Sequence, residues 1–356
     1  MKGPLQPDQA SRQPGHPQVH QHRPGFRRHR WLSPCRIYDY RSSIAPVNID
    51  RRGLGGDFRR PRSATFQLTR NDRLSKRHHL TPPSRVAKDD DDEHDLQLNG
   101  EELPSRAAAV HESIREEGET ELSRTVSALL WSAIAAGLSM SFSMLAKGLL
   151  RAHLPDNDVG FLVESLGYTV GFLVVIMARQ QLFTENTVTA VLPVMSQPRL
   201  GKFVCLLRLW GVVLVGNLVG VAVSAWAILA LPIFSMQTHE AFLALGEHIL
   251  ENTPMQMFAK GIVAGWMIAT MVWLLPSAGS AKIWVILIVT YLVAIGEFTH
   301  IIVGSTEVMY LVFSGHAGWS EYLFHFGFPT LLGNVVGGTF IFALISHAQI
   351  RSDSDR

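Results

Sequence analysis

The chain has 356 residues, 47% of them hydrophobic and 17% charged, with a formal net charge of +2 and a mean hydropathy of +0.14. Residues 1–88 hold 19 Lys/Arg against 5 Asp/Glu, residues 89–125 hold 3 against 13, and residues 126–356 hold 10 against 12. A last segment of 231 residues with only 22 charges is too apolar for a soluble enzyme and long enough for several membrane spans. With Cys35 and Cys205 its only cysteines, the chain is also not a disulfide-stapled secreted protein.

Residues 1–88 are rich in Arg, Pro, His, Gln and Gly and carry no sustained apolar period, so no packed core is expected there. No apolar run of signal-peptide type follows Met1. Two readings of 1–103 stand: a disordered cytoplasmic tail whose arginines touch anionic lipid, or upstream sequence translated from an early start. The composition changes abruptly at Lys88-Asp89, and 89–97 is an acidic, solvated run. The stretch 104–124 is weakly amphipathic around Ala109 and Ile114, and predicts a helix lying at the membrane surface.

Apolar segments follow at 125–149, 159–178, 183–196, 203–232, 257–275, 283–298, 301–313 and 322–347. Five are long enough for a hydrocarbon core that takes about 20 residues. The shorter ones follow polar breaks, Arg179-Gln180-Gln181 in one place and Glu297-Phe298-Thr299-His300 in the other. They predict two discontinuous helices, hence six crossings within 125–350 and a cytoplasmic tail at 351–356. Arg199, Lys202, Arg208, Lys282 and Arg351 fall on one side, whereas 233–259 and 283–350 contain no Lys or Arg. By the excess of cations on cytoplasmic loops, both termini are cytoplasmic.

Gly216-Asn217-Leu218-Val219-Gly220 recurs as Gly333-Asn334-Val335-Val336-Gly337, 117 residues later, and Thr184 and His300 stand 116 apart. Two halves of three spans then have opposite topologies, the inverted-repeat pattern of transporters and channels. The glycines themselves read as helix-packing positions. The fold class is therefore an all-α membrane protein of two inverted three-helix repeats.

Taken together, Leu182-Phe183-Thr184 at the first break, Phe298-Thr299-His300 at the second, the two Gly-Asn-x-x-Gly elements and Gly261-Ile262-Val263-Ala264-Gly265-Trp266 resemble the formate/nitrite transporter family. The resemblance covers 104–350. It implies an aquaporin-like protomer with discontinuous second and fifth helices, one pore per subunit, a homopentamer and a bacterial-type inner membrane. It departs at Arg179, Gln180 and Gln181, where small residues and an acid are usual, at Thr299 in place of Glu, and at Gly304 and Gly265 in place of Asn.

An anion crossing a low-dielectric region costs several kcal/mol or more unless it is compensated. The broken helices present positive dipole ends near Thr184 and Ile302. The Thr184 hydroxyl can donate to an anion, and His300 can donate a hydrogen bond or give up a proton so that the acid crosses neutral. The resemblance assigns the matched Thr and His those roles; helix N-cap and structural hydrogen bond are the bland alternatives. It also places apolar constrictions at Tyr168 and Phe172, Leu182 at the break, and Val293 opposite, with Phe183 and Phe298 beside the pore by motif. Arg179 either draws anions into a vestibule, pairs with Glu185, Glu297 or Glu307, or snorkels to the interface.

No nucleotide-binding loop, zinc motif, paired Asn-Pro-Ala loops or other catalytic pattern is present, so no enzyme, cofactor, metal site or nucleic-acid partner is expected. The expected function is transport of small monovalent, formate- or nitrite-like anions, as a channel or coupled to protons. A non-conducting partner-binding membrane protein and a small neutral-solute channel on the same fold are the rivals.

Overall fold

A computed structural model describes residues 106–354. The expectations for 1–103 lie outside the described residues.

Helix α1 (Arg106–Ser123) precedes the apolar bundle. The bundle contains α2 (Val126–Arg151), α3 (Asp158–Met177), α4 (Leu192–Ser196), α5 (Leu200–Ala230), α6 (Met236–Leu250), α7 (Pro254–Leu274), α8 (Lys282–Ile295), α9 (Ile301–Ser314) and α10 (Glu321–Ser352). Five of these, α2, α3, α5, α7 and α10, are long and apolar enough to cross a membrane, and α8 with α9 makes a further, interrupted crossing. The architecture is the six-crossing, two-repeat one, with breaks in the second and fifth crossings.

Local sequence explains several boundaries. The side chains of Thr125, Asn157 and Ser235 accept from backbone N–H groups at the starts of α2, α3 and α6. At α7, Thr253 and Gln256 close a reciprocal capping box, with Pro254 in the first turn, where its missing N–H costs nothing. The outer surface is apolar rather than charged: Trp131, Trp226 and Trp284 are all more than half exposed. Such a surface needs lipid or another subunit against it.

The second crossing differs from expectation in one respect. The predicted helix 183–196 is regular only over Leu192–Ser196, and 182–191 winds through turns. The Thr187 hydroxyl donates to the Thr184 carbonyl (2.7 Å), and Asn186 Nδ2 donates to the Leu182 carbonyl (3.0 Å). Side chains that bond nearby backbone compete with the helical ladder. The last crossing is also irregular, with wide turns over Glu321–Gly327 and Val336–Ala343. There Thr339 Oγ1 donates to the Thr187 carbonyl (2.8 Å), tying α10 to the first break.

Helix α1 packs on the bundle through Ile114 and Leu122. Arg208 Nη2 donates to the Leu122 carbonyl (2.7 Å) and the Arg124 carbonyl (3.2 Å), capping the negative end of α1, while Lys202 pairs with Glu119.

Candidate functional site: the two broken helices

Both breaks have the same construction. Helix α3 ends in a residue of left-handed conformation, Arg179 at φ 52°, and α8 ends likewise at Glu297, φ 51°. The amide of Gln180 reaches back to the Val175 carbonyl and that of Phe298 to the Val293 carbonyl, each at 3.0 Å. This closure suits glycine; in an L-residue it costs about 1 kcal/mol.

A buried asparagine holds each break. Asn217 Oδ1 accepts from the Phe183 amide (2.9 Å), and its Nδ2 donates to the carbonyls of Ala133 and Gln181 (both 2.8 Å). Asn334 Oδ1 accepts from the Ile301 amide (2.9 Å), and its Nδ2 donates to the carbonyls of Gly261 (2.9 Å) and Thr299 (3.0 Å). The flanking glycines bring these helices close enough. A Cβ on Gly216 would stand 2.6 Å from that of Ala133, and one on Gly333 would stand 2.9 Å from the Gly261 Cα. Gly265 has the same cause, since a Cβ there would lie 2.8 Å from the Asn334 Cα. Sequence reading found the glycines and their packing role but passed over the asparagines. The available signal was an Asn in the middle of an apolar helix, where a polar side chain needs partners.

Between the breaks, Thr184 Oγ1 and His300 Nε2 are 2.8 Å apart, both buried. His300 Nδ1 accepts from the Val303 amide (3.4 Å), capping α9. An accepting Nδ1 carries no hydrogen, which leaves the ring proton on Nε2, directed at Thr184. The Thr184 hydroxyl hydrogen is then free to face a ligand.

A cavity of about 430 Å³ runs from the face opposite α1 down to His300. Tyr168, Val293, Phe298 and His300 line it, together with Thr299. Phe172 is buried between Tyr168 and His300, with ring centroids 5.3 Å and 5.1 Å away. Leu182 is buried and lies outside this lining. Phe183 also lies outside it, its ring edge-on to Trp210 at 5.9 Å.

Arg179 is exposed, lies outside the cavity, and makes no ion pair among the described residues. Of the three acids expected to neutralise it, Glu185 makes no ion pair with it, and Glu297 and Glu307 have other partners. Glu307 lies 3.7 Å from Lys147 Nζ, and Glu297 meets His248 (2.7 Å) and Lys260 (3.4 Å). Glu164, also inside an apolar segment, meets Arg151 (3.2 Å). Lys147, Arg151 and His248 line the cavity, whereas Arg179, in its left-handed turn, lies outside it.

Two inverted repeats, each breaking one helix at membrane depth, with polar groups gathered where the breaks meet, define a membrane protein of the channel and transporter class. Residues 108–348 match the family model described as formate/nitrite transporter, and the chain belongs to that family. It is 57% identical over 258 residues to the "Inner membrane protein YfdC" of Escherichia coli (strain K12), covering 72% of this chain and 83% of that protein. It is 27% identical over 217 residues to a "Probable formate transporter" of Methanothermobacter thermautotrophicus, covering 56% and 78%. A solved "Pentameric formate channel with formate bound" shares the fold at a TM-score of 0.52 and 22% identity, over 64% of this chain and 97% of the other.

Proposed function

We propose that the protein moves small monovalent anions of the formate and nitrite type through a pore within each protomer, past Thr184 and His300. The observation that carries this reading is the 2.8 Å contact between His300, which lines the cavity, and Thr184, which is buried behind it where the two broken helices meet. An anion arriving there loses water and gains a hydrogen bond from the Thr184 hydroxyl, whose oxygen accepts from His300 Nε2–H. Phe172, Tyr168 and Val293 keep the passage narrow and dry, which strengthens those bonds and excludes hydrated ions. Leu182 closes the far side.

The assembly is a homopentamer in a bacterial-type inner membrane. The relative's name and the pentameric structural neighbour support this. The cation-rich connections put both termini in the cytoplasm.

The test is flux of formate, nitrite, acetate and lactate into proteoliposomes between pH 5 and 8. Selective flux that falls at least tenfold in both Thr184→Val and His300→Ala is the expected result. Flux unchanged in both variants refutes the site; no anion flux from a folded oligomer refutes the function and favours the non-conducting or neutral-solute alternatives.

A further inference from the structure

The cavity wall carries an acid that anion passage at His300 leaves without a task. Glu307 is seven residues beyond His300 on α9, two turns and about 10 Å along the same face, and both line the cavity. Its side chain is 4% exposed, and its Oε1 has no hydrogen-bond partner. Lys147 Nζ of α2 stands 3.7 Å from that oxygen, near enough to balance a charge and too far for a hydrogen bond. Tyr168 Oη, likewise buried and without a partner, is on the same wall. The other charged neighbours are Glu164 of α3, held by Arg151 of α2, and His248 of α6, occupied by Glu251 and Glu297.

His300 has no hydrogen to spare. One ring nitrogen accepts from Val303 and the other is committed to Thr184. A weak acid that crosses in neutral form must therefore take its proton elsewhere. Glu164 and Glu297 are each bonded to a cation. Glu307 is the buried acid with an unbonded oxygen on the same wall as His300.

We propose that Glu307 is the proton donor to a weak-acid substrate in this cavity, before the substrate reaches His300. The idea rests on the transport reading above. The O–H bond of the Glu307 carboxyl breaks and an O–H bond forms on the substrate's oxyanion. The negative charge left on Glu307 is balanced by Lys147, and a proton from the entry-side solution, relayed by water in the cavity, restores the Glu307 carboxyl. Tyr168 Oη donates a hydrogen bond that holds the substrate beside the acid. The neutral acid then meets a lower desolvation cost at Phe172 than its anion would.

The experiment uses the full chain in proteoliposomes, with formate as probe and a pH dye in the lumen. Wild type should carry about one proton per formate. Glu307→Gln should lower that ratio at least tenfold, and the formate it still admits should carry charge, read as a current under an imposed potential. Glu307→Asp should restore the ratio, with an altered pH profile, and it serves where the Gln variant does not assemble. An unchanged proton-to-formate ratio in Glu307→Gln, or a ratio as low in Asp as in Gln, overturns the proposal. If wild type moves no formate, nitrite, acetate or lactate, the transport reading itself falls and takes this one with it.

Discussion

Asn217 and Asn334, 117 residues apart, perform the same task in the two halves of the molecule. Each accepts one amide from the segment after a helix break, and donates to one carbonyl within that break and one on the first helix of its own repeat. Breaking a helix at membrane depth frees backbone groups that lipid cannot satisfy. One asparagine per break answers two of them and ties the break to a neighbouring helix.

It follows that Asn217→Ala and Asn334→Ala should destabilise the protein to a similar extent. Each leaves one carbonyl and one amide of the break without partners, a loss of about 2–6 kcal/mol at roughly 1–3 kcal/mol per group. Apparent melting temperature of the purified oligomer in detergent is the measurement. A large drop in one variant beside none in the other would show that the two clamps are not equivalent.

Gly265 stands where the resembling family has Asn, and close approach of the Asn334 backbone accounts for it. Gly265→Ala should therefore cost about 1–3 kcal/mol by overpacking. Gly201 on α5 has nothing within 4 Å of an added Cβ. Gly201→Ala should be neutral or stabilising by about 0.5–1 kcal/mol. The same thermal assay compares them, and equal behaviour of the two would refute the packing account.

Arg179 and Glu297 adopt the same left-handed conformation, but of the two only Glu297 has ion-pair partners among the described residues. Arg179→Gly should stabilise the protein by about 1 kcal/mol, because glycine takes that conformation freely. Glu297→Gly should not, since it also removes the contacts to His248 and Lys260. Comparing formate entry in Arg179→Gly with wild type at low and high salt tests anion attraction by the exposed guanidinium. A salt-dependent loss of rate is the result expected if it attracts.

Docking of α1 should depend on pH through His111. This side chain is buried, with its Nε2 3.1 Å from His347 Nδ1 at the end of α10. Burial first, and then the neighbouring His347, hold its pKa below 6.5; Glu112 opposes this, and Arg115 adds to it slightly. The docked state therefore disfavours the protonated ring. Docking is complete above pH 6.5 and weakens as pH falls through 6.5 toward the depressed value. Limited proteolysis of 106–123 should be faster at pH 5.5 than at 7.5, and His111→Gln should flatten that dependence. Arg208→Gln should speed cleavage at both pH values, because it weakens the cap on the α1 carbonyls.

Much of this molecule was legible in the chain. Apolar length and cation placement defined six crossings, because the thickness of a bilayer sets how many apolar residues a span needs. The repeat at Gly216 and Gly333, with polar breaks 116 residues apart, revealed the two inverted halves, and Thr184 and His300 with them. Composition and spacing are local or periodic properties, so a linear reading captures them. The partners of each charge were decided only in three dimensions. Arg179 is adjacent to Gln180 in sequence, yet its left-handed turn takes it outside the cavity, and Lys147, 160 residues before Glu307, takes the place expected for it. The joint role of Asn217 and Asn334 likewise needed the approach of helices distant in sequence. Hydrogen bonds and ion pairs act over about 3–4 Å of space, and only the packing of the two repeats brings those atoms within that range.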